Sequence, residues 1–404
     1  MASRSHSALA GDPGLRIALV MSAVTCAWGA TLPFLSRWLE AERGLSGAEI
    51  GAILSSAQLA RIVIGPAIAA WADGARDRRW PIRLALIAST LAFAVFFAAE
   101  GFWALFATGF IASTLSQAIM PLVEGAALRA GETGRVPYGV SRAFASSAFI
   151  IGNVGGGLLI SLHGVDVLIV WTMASLGLAA LFSFTAMKPD VWTGAAESGG
   201  FRMRVRAGLQ LLRAPGFARL LVGVSLIQAA HAFYYGFSVL VWRNQDISAT
   251  WVGLLWAFGV GVEVVFLALL PQIEKRVSPE AMIVAGGAVS ILRWTVFAFA
   301  PVGWILWPLQ ALHALTFAAT HVGALRLMFR TAPEAISGFT QTLYAALASG
   351  LLMGLATLAS GFLYDRFGAG GYAAMALMCA IGLALTLSAR GGAAVQPARS
   401  SASK

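Results

Sequence analysis

Charge is scarce in this chain: Asp, Glu, Lys and Arg make up 11% of its 404 residues, against 58% hydrophobic. That is too little charge to clothe a water-soluble domain of this length. Cysteine is nearly absent. Cys26 and Cys379 fall in separate apolar runs, which argues against a disulfide framework and for two small core residues. There is no Gly-x4-Gly-Lys-Ser/Thr loop, so ATP-driven pumping has no visible engine. No His/Cys/Glu set has metal-ligand spacing and no Ser-His-Asp arrangement can be argued, so neither a metal, a cofactor nor catalysis is expected.

What the chain has is length in its apolar runs. Twelve are long enough to cross a bilayer, near 16–39, 47–72, 81–100, 102–128, 138–162, 165–187, 216–242, 249–273, 279–300, 302–330, 335–364 and 369–389. The first follows Arg4 and Arg16 but exceeds a signal-peptide h-region and lacks a clear small-residue cleavage site, so it reads as a retained helix. The net charge of +10 raises the question of nucleic acid, and the placement of the charges answers it. With both termini cytoplasmic, only Arg37, Arg43, Arg243 and Arg366 lie outside and Arg61, Arg142 and Arg293 within the membrane. All other Lys and Arg fall inside, as the positive-inside rule prefers. The basic stretch 201–219 then faces anionic lipid headgroups, and no nucleic acid partner is expected.

Five charges sit within the apolar runs themselves: Arg61, Glu124, Arg142, Glu263 and Arg293. A charge at membrane depth costs about 2.5–3.5 kcal/mol on insertion scales and persists where it faces a polar cavity or a partner. That points to a carrier. Glu124 and Arg142 stand on adjacent antiparallel spans, where they can pair until a substrate competes for one of them. Gln228 and His231 are placed to share a helix face, with Tyr235 four residues on, and Gln310 and His313 repeat the spacing. A buried imidazole or amide needs partners in hydrocarbon, so each pair lines a cavity or makes an interhelical hydrogen bond. Phe233, Tyr234, Phe237 and Trp242 read as packing or interface aromatics. Three intramembrane Arg against two Glu leave a positive excess, which favours an organic anion, and Arg can hold a carboxylate through two parallel hydrogen bonds.

The chain also repeats itself. Laying Arg61 on Glu263 brings Ile50-Gly51 onto Val252-Gly253, and a near-identical shift brings Gly157-x-Leu159-x4-Gly164 onto Gly361-x-Leu363-x4-Gly368. With six runs on either side of a polar linker, this indicates two parallel repeats and a substrate site near the midplane between them. The expected organisation is an all-α membrane protein of twelve transmembrane helices in two six-helix bundles. Its parts are a cytoplasmic tail (1–14), the N-terminal bundle (15–188), a cytoplasmic linker (189–214), the C-terminal bundle (215–390) and a second tail (391–404), the tails disordered by composition.

The loop Ala72-Asp73-Gly-Ala-Arg76-Asp-Arg78-Arg79 resembles the signature loop between helices 2 and 3 of the major facilitator superfamily, with one glycine replaced and loose spacing. The turn Gly361-Phe-Leu-Tyr-Asp-Arg-Phe-Gly368 resembles another common superfamily turn. Pro121-Leu-Val-Glu124 with Tyr138-Gly-Val-Ser-Arg142, then Glu263, Arg293 and Gln310-Ala-Leu-His313, resemble the polar positions of the lactose permease and nucleoside proton symporter group. Nearly the whole chain is similar to the 3-phenylpropionate permease family in that group. The similarity is carried by Leu32-Pro-Phe-Leu-Ser-Arg-Trp-Leu39, Leu59-Ala-Arg61, the segment from Gln228 to Trp242, that from Leu255 to Glu263, and Gln310-Ala-Leu-His313.

This resemblance implies the major facilitator fold and proton-coupled symport of a small aromatic carboxylate by rocking of the two halves. It implies a monomer in a bacterial-type inner membrane. Glu124, Arg142, Gln228, His231, Tyr235, Arg293, Gln310 and His313 are its substrate candidates, and Glu263, Glu124 and His313 its proton carriers. Asp73, Arg76, Arg78 and Arg79 form the conformational loop, while Arg61 either serves the site or supports packing near the eleventh helix. Where the permease carries its proton on a Glu three residues after the His, this chain has Thr316, so coupling must use another group. A sugar or nucleoside symporter and an exporter remain alternatives within transport. A membrane-embedded enzyme or a transporter-like receptor is the alternative outside it.

Overall fold

The computed structural model of the chain describes residues 12–134, 136–187, 189, 212, 213, 215–331 and 337–390. Among them there are helices and no strands. Before the linker run α1 (Pro13–Arg43), α2 (Gly47–Asp73), α3 (Arg79–Ala98), α4 (Phe102–Thr133), α5 (Tyr138–His163) and α6 (Val167–Thr185). After it come α7 (Pro215–Ala229), α8 (Ala232–Arg243), α9 (Ala249–Ile273), α10 (Pro279–Ala298), α11 (Leu306–Ala311), α12 (Thr320–Thr331), α13 (Ser337–Ala345), α14 (Met353–Phe367) and α15 (Tyr372–Arg390). Local chemistry sets many of the ends. Asp12 caps α1 ahead of Pro13, and Gly44 closes it at φ 65°, where a side chain would be strained. Ser46 and Glu49 form a capping box on α2, and Ser278 precedes Pro279 at the start of α10.

Among the described residues, ten stretches are long and apolar enough to cross a membrane. The tenth, Thr340–Ala389, runs through most of α13, a π-helical turn at Ala346–Leu352 and α14, then makes a tight turn at Gly368 into α15, so the expected eleventh and twelfth spans are separate rods. The expected tenth span is not among them. It is nonetheless a nearly continuous rod, formed by α11, a π-helical turn at Ala314–Ala319 and α12, and it carries Gln310, His313, Thr316, Thr320 and His321. The expected seventh span is also one stretch in two helices, α7 and α8, interrupted at Ala230 and His231. Cys26 and Cys379 are free thiols. The linker and tails lie outside the described residues, apart from 12–14, 189, 212 and 213, and so does most of the basic stretch 201–219.

Helices α1 to α6 pack mainly among themselves, with α1 against α5 and α6 and α3 against α4 and α6. Beyond the linker, α15 packs against α7 and α10. The two bundles meet along two seams, α2 on α14 and α5 on α9, with α8 also against α1. Both seams are backbone to backbone. A Cβ on Gly157 would stand 3.3 Å from the Gly253 Cα, and one on Gly51 would stand 3.1 Å from the Gly361 Cα. Small residues allow this approach where no hydrophobic force drives helices together in lipid. The neighbouring Gly152 and Gly156 pack instead against Cys26 and Ala30 of α1, so the glycine run of α5 serves close helix contacts, as its sequence implies.

These contacts lie toward the end of the molecule away from the chain termini, where polar ties reinforce them. Asp365 on α14 accepts from the Gly47 and Ala48 amides at 2.7 and 2.8 Å, supplying the free N–H groups of α2 with a carboxylate from the other bundle. Arg243 pairs with Glu40 at 2.5 Å, Tyr364 donates to Glu40 at 3.2 Å, and Thr250 donates to Ser161 at 3.0 Å. Toward the termini the seams part. The last ties on the α2 side are Thr357 to Gln58 at 3.0 Å and the packing of Ile62 on Gly350. Further along, Gly65 has only Arg61 beside it, and Gly261 on α9 meets nothing within 4 Å. The structure is therefore closed at the far end and open at the end that carries the termini.

Asp365→Ala should loosen the closed end. In a background lacking Cys26 and Cys379, a cysteine introduced at Thr250 should react faster with a water-soluble thiol reagent in the Asp365→Ala variant. Equal labelling rates would show that the carboxylate does not hold the seam.

Candidate functional site

The charges expected within the membrane fall along one line through the opening. In the N-terminal bundle Glu124 of α4 accepts from Arg142 Nη1 of α5 at 2.5 Å, so the expected pair forms. It is wet, with the Arg142 side chain 51% and Glu124 33% exposed, and such a pair is worth little as a structural staple. Arg142 also lies within electrostatic reach of Glu263 on α9, across the seam, and Glu124 within reach of Arg61 on α2. Arg61 lines a cavity between α2 and α4. The side chains of α2 that meet α14 and the turn before it are Gln58, Leu59 and Ile62, while Arg61 is exposed and faces α4.

In the C-terminal bundle Glu263 and Arg293 form no direct ion pair. His313 stands between them, its Nε2 3.5 Å from Glu263 Oε2 and its Nδ1 3.2 Å from Arg293 Nη1. A guanidinium only donates, so Nδ1 accepts, and Nε2 carries the proton that points to Glu263. Arg293 is 0% exposed and has no carboxylate in contact among the described residues. Its partners are neutral: Thr316 Oγ1 at 3.1 Å, Gln310 Oε1 at 2.9 Å and His313, with the rings of Trp294 and Tyr234 4.6 and 5.0 Å from its charge. Hydrogen bonds and aromatic faces thus replace a counter-ion.

The interruption between α7 and α8 brings His231 into the same network. Its Nδ1 donates to the Gln228 carbonyl at 3.0 Å, which satisfies an acceptor exposed by the broken helix, and its Nε2 lies 3.3 Å from the Thr316 hydroxyl. Gln228 is itself buried, its Nε2 donating to the Phe317 carbonyl at 3.4 Å. Tyr235 is part-exposed, its ring 5.7 Å from that of His231 and 5.9 Å from that of Trp256. The π-helical turn at Ala314–Ala319 begins immediately after His313 and holds Thr316 against Arg293, and such turns gather at functional positions.

Of the expected substrate candidates, Arg142 is exposed and Glu124 and Tyr235 are part-exposed. Gln228, His231, Arg293, Gln310 and His313 are brought together but buried. Tyr234 was expected to be a packing or interface aromatic. It stacks on Trp256 at 4.7 Å, but its hydroxyl also bonds both ends of the Gln310 amide at 3.1 and 2.9 Å. Its place three residues from His231 in a membrane span was the available signal. Phe233 and Phe237 do pack, against Tyr372 and Tyr364. In the loop after α2, Arg79 pairs with Asp77 at 2.7 Å and donates to the Met187 carbonyl at 3.3 Å. Arg76 is exposed, Arg78 part-exposed, and the Asp73 side chain lies outside the described residues.

Residues 19–372 match the MFS_1 like family. The chain belongs to that family. It is a transporter of the major facilitator superfamily. The probable 3-phenylpropionic acid transporter of Escherichia coli is 30% identical to it, over 87% of this chain and 91% of that one. The maltose permease of Geobacillus stearothermophilus is 29% identical, over 88% of this chain and 89% of its own. Among solved structures, the nucleoside transporter NupG superposes with a TM-score of 0.80 at 15% identity, covering 94% of this chain and 98% of that one, a likeness of fold.

In this transporter Thr316→Val should lower the melting temperature more than Thr316→Ser does. A buried charged group that loses one partner costs about 1–3 kcal/mol, and Ser keeps the hydroxyl. Equal melting curves for the two variants would show that Arg293 does not depend on Thr316.

Proposed function

We propose that this transporter carries a small organic carboxylate, aromatic in character, together with a proton. The observation that carries this reading is the state of Arg293: a fully buried guanidinium surrounded by aromatic rings, with Thr316 where a carboxylate would neutralise it. The intramembrane set holds Arg61, Arg142 and Arg293 against Glu124 and Glu263, so the interior has a positive excess that an anionic substrate offsets. The relative named for 3-phenylpropionic acid supports an aromatic acid. In this reading the substrate occupies the opening between Glu124, Arg142 and Tyr235 on one side and Glu263 and His313 on the other, with Gln228, His231, Arg293 and Gln310 shaping the wall behind them.

Glu263 is the proton carrier in this scheme, with Glu124 and His313 as secondary candidates. Glu263 touches no cation directly; its contact is the N–H of His313. Protonating the carboxylate releases that contact, and an N–H donor on His313 no longer has an anion to face. Alternating access follows from opening the end held by Asp365 and closing the end that carries the termini. The positive-inside pattern supports cytoplasmic termini, and in this reading, with the protein in a bacterial-type inner membrane, the described state opens inward. The loop Asp73, Arg76, Arg78 and Arg79 is then positioned to act in closing that side, and the basic stretch 201–219 to meet anionic lipid. The protein acts as a monomer. The maltose permease relative favours a second reading, a sugar symporter, in which the same polar groups would serve hydroxyls.

Proteoliposomes containing the transporter should accumulate 3-phenylpropionate when the outside is acidified, and a protonophore should collapse the accumulation. Glu263→Gln should abolish accumulation while sparing exchange of labelled for unlabelled acid. Uptake indifferent to the gradient would remove the proton, and uptake of maltose but of no aromatic acid would replace the substrate class.

A further inference from the structure

Among the three intramembrane cations, only Arg61 is both open to the interior and uncommitted. Arg142 is held by Glu124 at 2.5 Å, and Arg293 is enclosed by Thr316, Gln310 and His313. Arg61 makes no ion pair or hydrogen bond among the described residues, and Glu124 acts on it only through space. It lines a cavity of about 40 Å³ between α2 and α4, with Ala57, Ile64 and Gly65 on one wall and Thr114, Gln117 and Pro121 on the other. On α4 these positions share the face of Glu124, three, seven and ten residues before it, so the cavity adjoins the Glu124–Arg142 pair.

Two polar groups point the cavity at a ligand. Thr114 is 9% exposed, and its buried hydroxyl has no hydrogen-bond partner. A buried donor without a partner is costly and rare in folded proteins, and one at the wall of a cavity is accounted for by what enters the cavity. Gln117 likewise makes no side-chain hydrogen bond among the described residues, and its amide lies on the same wall. One cation, one hydroxyl donor and one amide donor therefore converge on a space too small for an aromatic acid but adequate for its head, since a single water needs about 10–15 Å³.

We propose that this pocket seats the carboxylate of the substrate, with Arg61 as its cation and Thr114 and Gln117 as its hydrogen-bond donors. The aromatic body then extends from the pocket into the opening toward Tyr235. This rests on the reading of the protein as a carrier of organic acids, and it changes which residue anchors the acid. Glu124 acquires a defined part: it holds Arg142 off the carboxylate and keeps Arg61 oriented toward the pocket until the substrate replaces its field. An anion on Arg61 also completes the alternation of charge across the two bundles.

The test is binding to the purified full chain, with 3-phenylpropionate and its neutral counterpart 3-phenyl-1-propanol as probes. Arg61→Gln should weaken binding of the acid about tenfold or more, the usual loss when a charge-assisted contact is removed, and leave the alcohol unchanged. Arg61→Lys should recover part of the loss. Thr114→Val should weaken the acid about threefold or more while raising the melting temperature of the empty protein, because it removes an unpaired buried hydroxyl. If Arg61→Gln and Thr114→Val bind the acid like the original protein while Arg142→Gln or Arg293→Gln loses it, the anchor is elsewhere and the carrier reading stands. If the original protein binds the alcohol as well as the acid, or neither, the carboxylate reading itself fails, and the anchor with it. Should Arg61→Gln not fold, Arg61→Lys and Thr114→Val decide the outcome through the ratio of acid to alcohol affinity.

Discussion

Arg293 is buried without an anion in contact, and much of the C-terminal bundle is arranged around that fact. Its charge is met by Thr316, Gln310 and His313, all from the same interrupted rod, and by the faces of Trp294 and Tyr234. The π-helical turn presents Thr316, the break between α7 and α8 delivers His231 to the same hydroxyl, and Tyr234 secures Gln310. The turn and the break each supply a partner to this one cation or to one of its partners. Irregular backbone at membrane depth is tolerated where protein buries it, and here it is buried.

From Arg293 the polar contacts run outward through His313 to Glu263, across the opening to Arg142, and through Glu124 to Arg61. Sign alternates along this series, with the neutral imidazole of His313 as its single uncharged link. Glu263 and Arg142 belong to different bundles and act on each other only through space, as Glu124 and Arg61 do within one bundle, so a rocking motion must alter the step between the bundles. The far end closes on glycine-to-glycine seams and on Asp365 at the start of α2. The cost of separating the bundles there is therefore a few polar ties and little side-chain repacking.

The order of elements was legible in the sequence because spans are written in uninterrupted apolar runs, and the repeat appeared because Gly51, Gly253, Gly157 and Gly361 occupy seam positions that tolerate only small residues. The Glu124–Arg142 pair could be read from two adjacent spans. The connection of Glu263 to Arg293 could not, since His313 enters between them from a third helix and no spacing in one strand of text reports it. The sequence leaves Arg61 open between the site and packing near the eleventh helix. The same α2 that rests on α14 through Gln58, Leu59 and Ile62 turns Arg61 toward α4, and only the packing shows which face meets which neighbour. The polar role of Tyr234 was not legible because its hydroxyl partner, Gln310, is distant in sequence.

The central claim is that the charges of the two bundles act as one set across the opening. A double-mutant cycle on Arg142→Gln and Glu263→Gln, read as unfolding stability in mixed micelles, tests it most directly. The double variant should be more stable than the sum of the two single losses predicts, by more than about 0.5 kcal/mol, because each single change leaves the other charge uncompensated. Additive losses would show that the two bundles carry separate sites and that the series is broken at the seam.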